Sequence, residues 1–148
     1  MRLSKLQKYI NNEMTNDQIP MSNGILAINS PYNLAERTAV FGENVIAFVN
    51  KSPKTLANKV LLRQLIRSAT SIGANYVEAD CAATKKDFKY KISLCKKEAK
   101  ETAYWLRMIA KANIGKDQDC KILQQEAQEL LLIFSKILIT CAKKENNK

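Results

Sequence analysis

The stretch Thr84 to Asn113, TKKDFKYKISLCKKEAKETAYWLRMIAKAN, reads as one long amphipathic helix. Thr84 can cap a helix, and Asp87, three positions on, can reach back as in a capping box. Phe88, Ile92, Cys95, Ala99, Thr102, Leu106 and Ile109 then recur at alternating steps of four and three. That spacing lines them along one side of a helix and sustains a core stripe for three heptads. Gly115 is the expected stop. At 1.5 Å per residue, about 30 residues make a rod roughly 45 Å long.

Three further stripes lie on either side of this one along the chain. A helix is expected from about Asp117 to Lys144, with Cys120, Leu123, Ala127, Leu130, Leu131, Phe134, Ile137, Leu138 and Cys141 facing inward. Another runs from about Thr55 to Cys81 and buries Leu61, Leu62, Leu65, Ala69, Ile72, Tyr76 and Ala79. Gly73 lies inside it at a cost of about 1 kcal/mol relative to Ala. With Ala69 and Ala74 it forms either a smooth patch for a second backbone or a mild kink. The first helix spans about Asn33 to Asn50 through Leu34, Thr38, Phe41, Val45, Phe48 and Val49. Pro53 stops it, because the residue before a proline is pushed out of the helical region. Short connections at 51–54, 82–84 and 113–117 make successive helices antiparallel neighbours. The expected fold is all-α, an up-down-up-down antiparallel four-helix bundle over residues 32–148. Residues 1–31 read as a separate arm, with Ser22, Asn23, Gly24, Asn29, Ser30 and Pro31 as turn and linker.

Composition agrees. The chain has 148 residues, 46% of them apolar, enough for one core and too few for two comfortable domains. Its 4 Gly and 3 Pro cannot supply the turns of a sandwich or barrel. Histidine is absent, which excludes Ser-His-Asp and Cys-His nucleophile systems and histidine metal ligands. Cys81, Cys95, Cys120 and Cys141 include no C-x-x-C pair, so reduced, mostly buried thiols are expected, with no metal and no cofactor. Asn11, Asn12, Glu13, Asn16 and Asp17 interrupt the start where a secretory signal would need an apolar run. The most apolar stretch, Leu130 to Ala142, contains Lys136 and falls short of the roughly 20 residues of a membrane span. A cytoplasmic protein without membrane contact is expected.

The 24 Lys+Arg exceed the 14 Asp+Glu, giving a net charge of +10. Residues 51–71 carry five bases and no acid, and residues 84–114 carry nine bases against three acids. At about 100° per residue, Lys89, Lys96, Lys100, Arg107 and Lys111 form one line beside the core stripe of the third helix. Lys59, Arg63 and Arg67 form a second line on the helix before it. Like charges at i,i+4 destabilise a helix by a few tenths of a kcal/mol each, so these lines face either open water or anions. If they share a surface they can track a phosphate backbone. These eight residues are the candidate nucleic-acid-binding set.

A third face mixes apolar bulk with both charges. Asp87, Lys91, Leu94, Glu98, Glu101 and Trp105 point together on one helix, and Gln64, Ser71, Asn75 and Glu78 on its neighbour. Trp is a frequent anchor of subunit contacts. Ser71, Asn75, Glu78, Leu94, Glu98, Glu101 and Trp105 are therefore the candidate subunit interface. Glu98 and Glu101 could instead be an acid/base pair, but no nucleophile or Gly-rich loop accompanies them. The motifs H-E-x-x-H, G-x-x-x-x-G-K-[ST] and G-x-G-x-x-G do not occur.

The run Arg67-Ser68-Ala69-Thr70-Ser71-Ile72-Gly73-Ala74-Asn75-Tyr76-Val77-Glu78-Ala79 resembles the signature of the bacterial four-helix-bundle family of the large-subunit (23S) ribosomal RNA intervening sequences. Thr84-Lys85-Lys86-Asp87-Phe88 is similar to its third-helix start, and Lys97-Glu98-Ala99-Lys100-Glu101-Thr102-Ala103-Tyr104-Trp105-Leu106 to its third block. Leu34-Ala35-Glu36-Arg37 and Leu56-Ala57-Asn58 also fit. The resemblance covers about Asn33 to Ala142. It implies a four-helix protomer that assembles as a homopentamer and has no known enzymatic activity. It also implies kinship in fold with the basic accessory variability protein of retroelements, which binds nucleic acid and partners a reverse transcriptase. Signature residues fall on the mixed face and core, which favours assembly roles for them. The basic lines are tied less closely to the signature, and their binding role rests on charge placement alone.

The expected function is thus that of a non-enzymatic basic oligomer binding RNA or DNA without sequence preference. The alternative is a scaffold or accessory subunit whose partner is a protein such as a reverse transcriptase.

Overall fold

The computed structural model describes residues 33–113, 115 and 117–146. It contains helices α1 (Leu34–Asn50), α2 (Leu56–Asp80), α3 (Lys85–Ala112) and α4 (Asp117–Asn146). No strand occurs among the described residues. The chain falls into two units, Met1–Leu34 and Ala35–Lys148, and the helical packing described below belongs to the second. The expected arm at residues 1–31 lies outside the described residues.

Local chemistry sets the helix ends. The Ser52 hydroxyl donates to the Phe48 carbonyl at 2.8 Å, closing the last turn of α1 just before Pro53. Thr55 caps α2, its Oγ1 accepting the Asn58 N–H at 3.2 Å. Thr84 caps α3, accepting the Asp87 N–H at 3.1 Å. The Thr84 hydroxyl also donates to the Asp87 carboxylate at 2.6 Å. Asp87 thus takes the cap's hydroxyl rather than its backbone N–H, a variant of the expected box. Beyond α3 the chain turns at Gly115, whose φ of 93° only glycine adopts without strain.

The four helices pack as a bundle. α3 lies along α2 and along α4. α1 meets α2 where side chains are smallest. A Cβ placed on Gly73 would sit 3.5 Å from Thr38 Oγ1 and 3.6 Å from the Thr38 carbonyl carbon, and one on Gly42 would sit 3.8 Å from Thr70 Cγ2. Gly73 therefore faces the α1 backbone at a distance that leaves ordinary contact room for one methyl group. Ala69 shares that buried patch, whereas Ala74 faces out. α1 is tied to α4 by Arg37, whose Nε and Nη2 donate to Glu126 at 2.6 and 2.8 Å and whose Nη2 also donates to Glu129 at 2.7 Å. These carboxylates hold the Arg37 guanidinium above its ordinary pKa.

Val45, Leu65, Ile72, Ile92, Leu106, Leu130 and Phe134 form the dry centre. Each such side chain contributes about 1.5–3 kcal/mol on burial. Tyr76 and Phe134, with ring centroids 6.3 Å apart, join α2 to α4 across it. The expected stripes hold, with changes at their edges. Val49, Leu61, Phe88, Leu131, Leu138 and Cys141 are half-buried, and Ile133 is buried on the α1 side of α4. Of the cysteines, all free, Cys95 and Cys120 are buried, Cys141 is half-buried and Cys81 is exposed at the end of α2.

Polar groups inside the bundle tie α2 to α3. Asn58 and Asn113, buried at the two helix ends, exchange side-chain hydrogen bonds. Ser68 Oγ and Thr102 Oγ1 lie 2.9 Å apart. Cys95 Sγ is 3.5 Å from the Ile72 carbonyl, and burial pushes its thiol up to about 12.

Candidate nucleic-acid interface

The outer groove between α2 and α3 is an ion-pair ladder. Arg67 of α2 reaches Glu98 of α3 at 3.3 Å and also pairs with Glu101. One level along, Glu78 of α2 pairs with Lys91 of α3, which holds the Lys91 ammonium above its ordinary pKa. Trp105 Nε1 donates to Glu101 at 3.2 Å, and the Trp105 ring meets Tyr104 edge-on at 5.0 Å between centroids. The remaining polar residues of this face turn to their own helix. Ser71 Oγ donates to the Arg67 carbonyl at 2.7 Å, and Asn75 Nδ2 to the Ser71 carbonyl at 2.8 Å.

The mixed face expected from the sequence is therefore one continuous surface. Ser71, Asn75, Leu94, Glu98, Glu101 and Trp105 are half-buried on it, and Glu78 is exposed. Its charges meet within one protomer. Opposite charges facing across adjacent helices were readable in the residue list; which would touch was not, because that depends on how α2 and α3 are rotated against each other.

The two basic lines do not lie edge to edge. On α2, Lys59 and Arg63 share the exposed side that carries Thr70, next to α1. On α3, the line runs beside Ala103, whose carbonyl accepts from Gln124 of α4 at 3.4 Å. The mixed groove separates them. Arg67 sits at the groove's edge, committed to two carboxylates although its side chain is 46% exposed. Lys96, Lys100, Arg107 and Lys111 are exposed, and Lys89 is half-buried.

The α3 line is wider than the sequence reading made it. At about 100° per residue, Lys86 and Lys97 fall beside it, and both are exposed. Two aromatic rings share this ridge: Tyr90 and Tyr104 are 59% and 53% exposed. The ridge comprises Lys86, Lys89, Tyr90, Ser93, Lys96, Lys97, Lys100, Tyr104, Arg107, Met108 and Lys111, without an acid. Glu101, on the groove side of the ridge, is held by Arg67 and Trp105. The sequence signal for the tyrosines was available: they lie 14 positions apart, nearly four helical turns, with Lys97 midway.

No group of three or more Cys, Asp or Glu side chains that could hold a metal ion occurs among the described residues. No helix among them is long and apolar enough to cross a membrane.

The family model for the 23S rRNA-intervening sequence protein matches residues 32–136. The chain belongs to this family. Members of the 23S rRNA-intervening sequence protein family are thus the proper frame for the bundle and its groove. A crystal structure at 1.70 Å of a protein with unknown function, from the S23 ribosomal protein family of Bacteroides thetaiotaomicron VPI-5482, is similar to this chain. The two share 25% sequence identity with a TM-score of 0.63, over 71% of this chain and 97% of that one. No curated protein matches.

Proposed function

We propose that this protein is a non-enzymatic, basic, cytoplasmic oligomer that binds the phosphate backbone of RNA or DNA without reading sequence. The α3 ridge carries the proposal: seven Lys and Arg side chains with no acid among them. Such a line is unfavourable by itself, and phosphates neutralise it while releasing their counterions. Lys59 and Arg63 on α2 add a second, smaller anchor, and the net charge of +10 supplies long-range attraction.

The assembly proposed is a ring of up-down-up-down bundles, five in number by family resemblance. Its support within the protomer is the order of contacts. Between α1 and α2, Thr38 faces Gly73 and Gly42 faces Thr70, and between α2 and α3, Asn58 meets Asn113, Ser68 meets Thr102 and Glu78 meets Lys91, so numbers that rise on one helix fall on the next. Self-association would use the α2–α3 groove, where Leu94 and Trp105 are only half-buried. Five copies would carry +50, five times the protomer's +10. Glu98 and Glu101 hold Arg67 and the Trp105 indole, which supports a structural role for the two carboxylates.

Mobility shift of homopolymer RNA and DNA at two salt concentrations tests the reading. Binding at low salt that falls steeply as salt rises is expected, and Lys96→Glu with Lys100→Glu should weaken it. No shift at low salt overturns the reading. The accessory-subunit alternative then stands, and a protein partner that stays bound after nuclease treatment would support it.

A further inference from the structure

We propose that the α3 ridge binds single-stranded nucleic acid in preference to duplex, with unpaired bases stacking on Tyr90 and Tyr104. The proposal rests on the backbone-binding reading above and deepens it by naming the form of the polyanion.

Exposure is the first observation. A tyrosine on a bundle surface normally lays its ring against neighbours, yet Tyr90 and Tyr104 leave 59% and 53% of their surface in water. Placement is the second. Both rings stand on the cationic side of α3: Lys86 lies one turn before Tyr90, Lys100 and Arg107 lie one turn to either side of Tyr104, and Lys97 falls between the two rings. Every base offers a π-face, and a basic track interleaved with aromatic rings holds single strands by stacking plus phosphate neutralisation. Duplex DNA or RNA hides those faces inside its stack, so duplex can use only the cations.

Support of the rings is the third observation. Trp105 meets the Tyr104 ring edge-on at 5.0 Å between centroids, and its indole N–H is fixed on Glu101. Lys91 Nζ lies 5.9 Å from the Tyr90 ring centroid and is itself paired to Glu78. Each tyrosine is thus braced from the groove side. The 14-residue separation spans about 21 Å along the helix, roughly six nucleotide steps of a stacked strand. That length matches the site sizes of single-strand binders built on the same two elements.

Fluorescence anisotropy of the full chain with labelled 15-mers of uridylate and of thymidylate, and with a blunt duplex of equal length, decides it. Single strands should bind more tightly than duplex at equal salt, and the two single-strand arms show whether ribose or deoxyribose is preferred. Tyr90→Ala with Tyr104→Ala should weaken single-strand binding about fivefold or more per ring and leave duplex binding unchanged. Tyr90→Phe with Tyr104→Phe should retain the preference, since stacking needs the ring and not the hydroxyl. Circular dichroism confirms that these exposed substitutions leave the bundle folded. If the double alanine variant binds single strands like the parent while Lys96→Glu with Lys100→Glu loses both forms, stacking is overturned and backbone binding stands. If neither form binds at low salt, the underlying reading itself fails.

Discussion

Asn58, in the first turn of α2, and Asn113, at the end of α3, form a reciprocal amide pair. Asn58 Nδ2 donates to Asn113 Oδ1 at 2.7 Å, and Asn113 Nδ2 donates to Asn58 Oδ1 at 2.8 Å. The second N–H of each amide is also used, toward the carbonyls of Pro53 at 2.7 Å and Ile109 at 2.9 Å. The pair therefore stitches the α1–α2 connection to the last turn of α3. Substituting either residue by Ala strands a buried amide and should cost about 1–3 kcal/mol. The double substitution should cost clearly less than the sum of the singles, because neither orphan remains. Urea unfolding of the four variants measures this coupling, and additive costs would contradict it.

Arg67 behaves unlike the two bases that precede it on α2. Lys59→Glu with Arg63→Glu should weaken binding to RNA or DNA while leaving the thermal midpoint nearly unchanged, since both side chains are exposed. Adding Arg67→Glu should lower stability by about 1–2 kcal/mol, because it sets a third carboxylate against Glu98 and Glu101. Thermal melts beside mobility shifts separate the effects. Equal stability of the double and triple variants would show that the Arg67 ion pairs contribute nothing.

Gly73 faces the Thr38 backbone with room for one methyl group, since the nearest atom would be 3.5 Å from an added Cβ. Gly73→Ala should therefore stabilise the protein by about 1 kcal/mol through helix propensity. Gly73→Leu should push α1 outward and destabilise it. A thermal midpoint that falls for the alanine variant would mean the gap between α1 and α2 is tighter than described.

Cys95 links stability to alkaline pH. Its thiol rises from 9.0 to about 12 on folding because burial disfavours the thiolate. Above the unfolded value the unfolded chain binds fewer protons than the native one, so stability falls as pH rises from about 9 toward about 12. Below about 9 the contribution is fully present. Burial raises the Tyr76 phenol as well, its hydroxyl having no hydrogen-bond partner among the described residues. Cys95→Ala should flatten the loss of stability between about pH 9 and 10, below the range in which the Tyr76 phenol contributes. A thiol reagent at pH 8 should modify exposed Cys81 and spare Cys95 in the native protein.

Trp105 tests the assembly. Half-buried and bound to Glu101, it should cost less on truncation to Ala than the about 3–5 kcal/mol of a fully buried Trp. If the groove is the subunit contact, Trp105→Ala should reduce the mass seen by light scattering. An unchanged mass would remove Trp105 from the interface.

The four helices, the Thr84 cap and most of each inward stripe were legible in the order of residues. Thr84 with Asp87, Ser52 before Pro53, and the spacing from Ile92 to Ile109 all act within about one turn, so the order of residues carries them. Which polar groups meet was settled by the packing of the helices. Arg67 is as basic on paper as Lys59, yet it turns onto Glu98 and Glu101, 31 and 34 positions away. Asn58 looks like an ordinary first-turn residue until Asn113, 55 positions on, reaches it. The rotation of α2 against α3 fixes these contacts and sets the mixed groove between the basic lines. That rotation follows from how whole core stripes interlock, and residue spacing within one helix does not encode it.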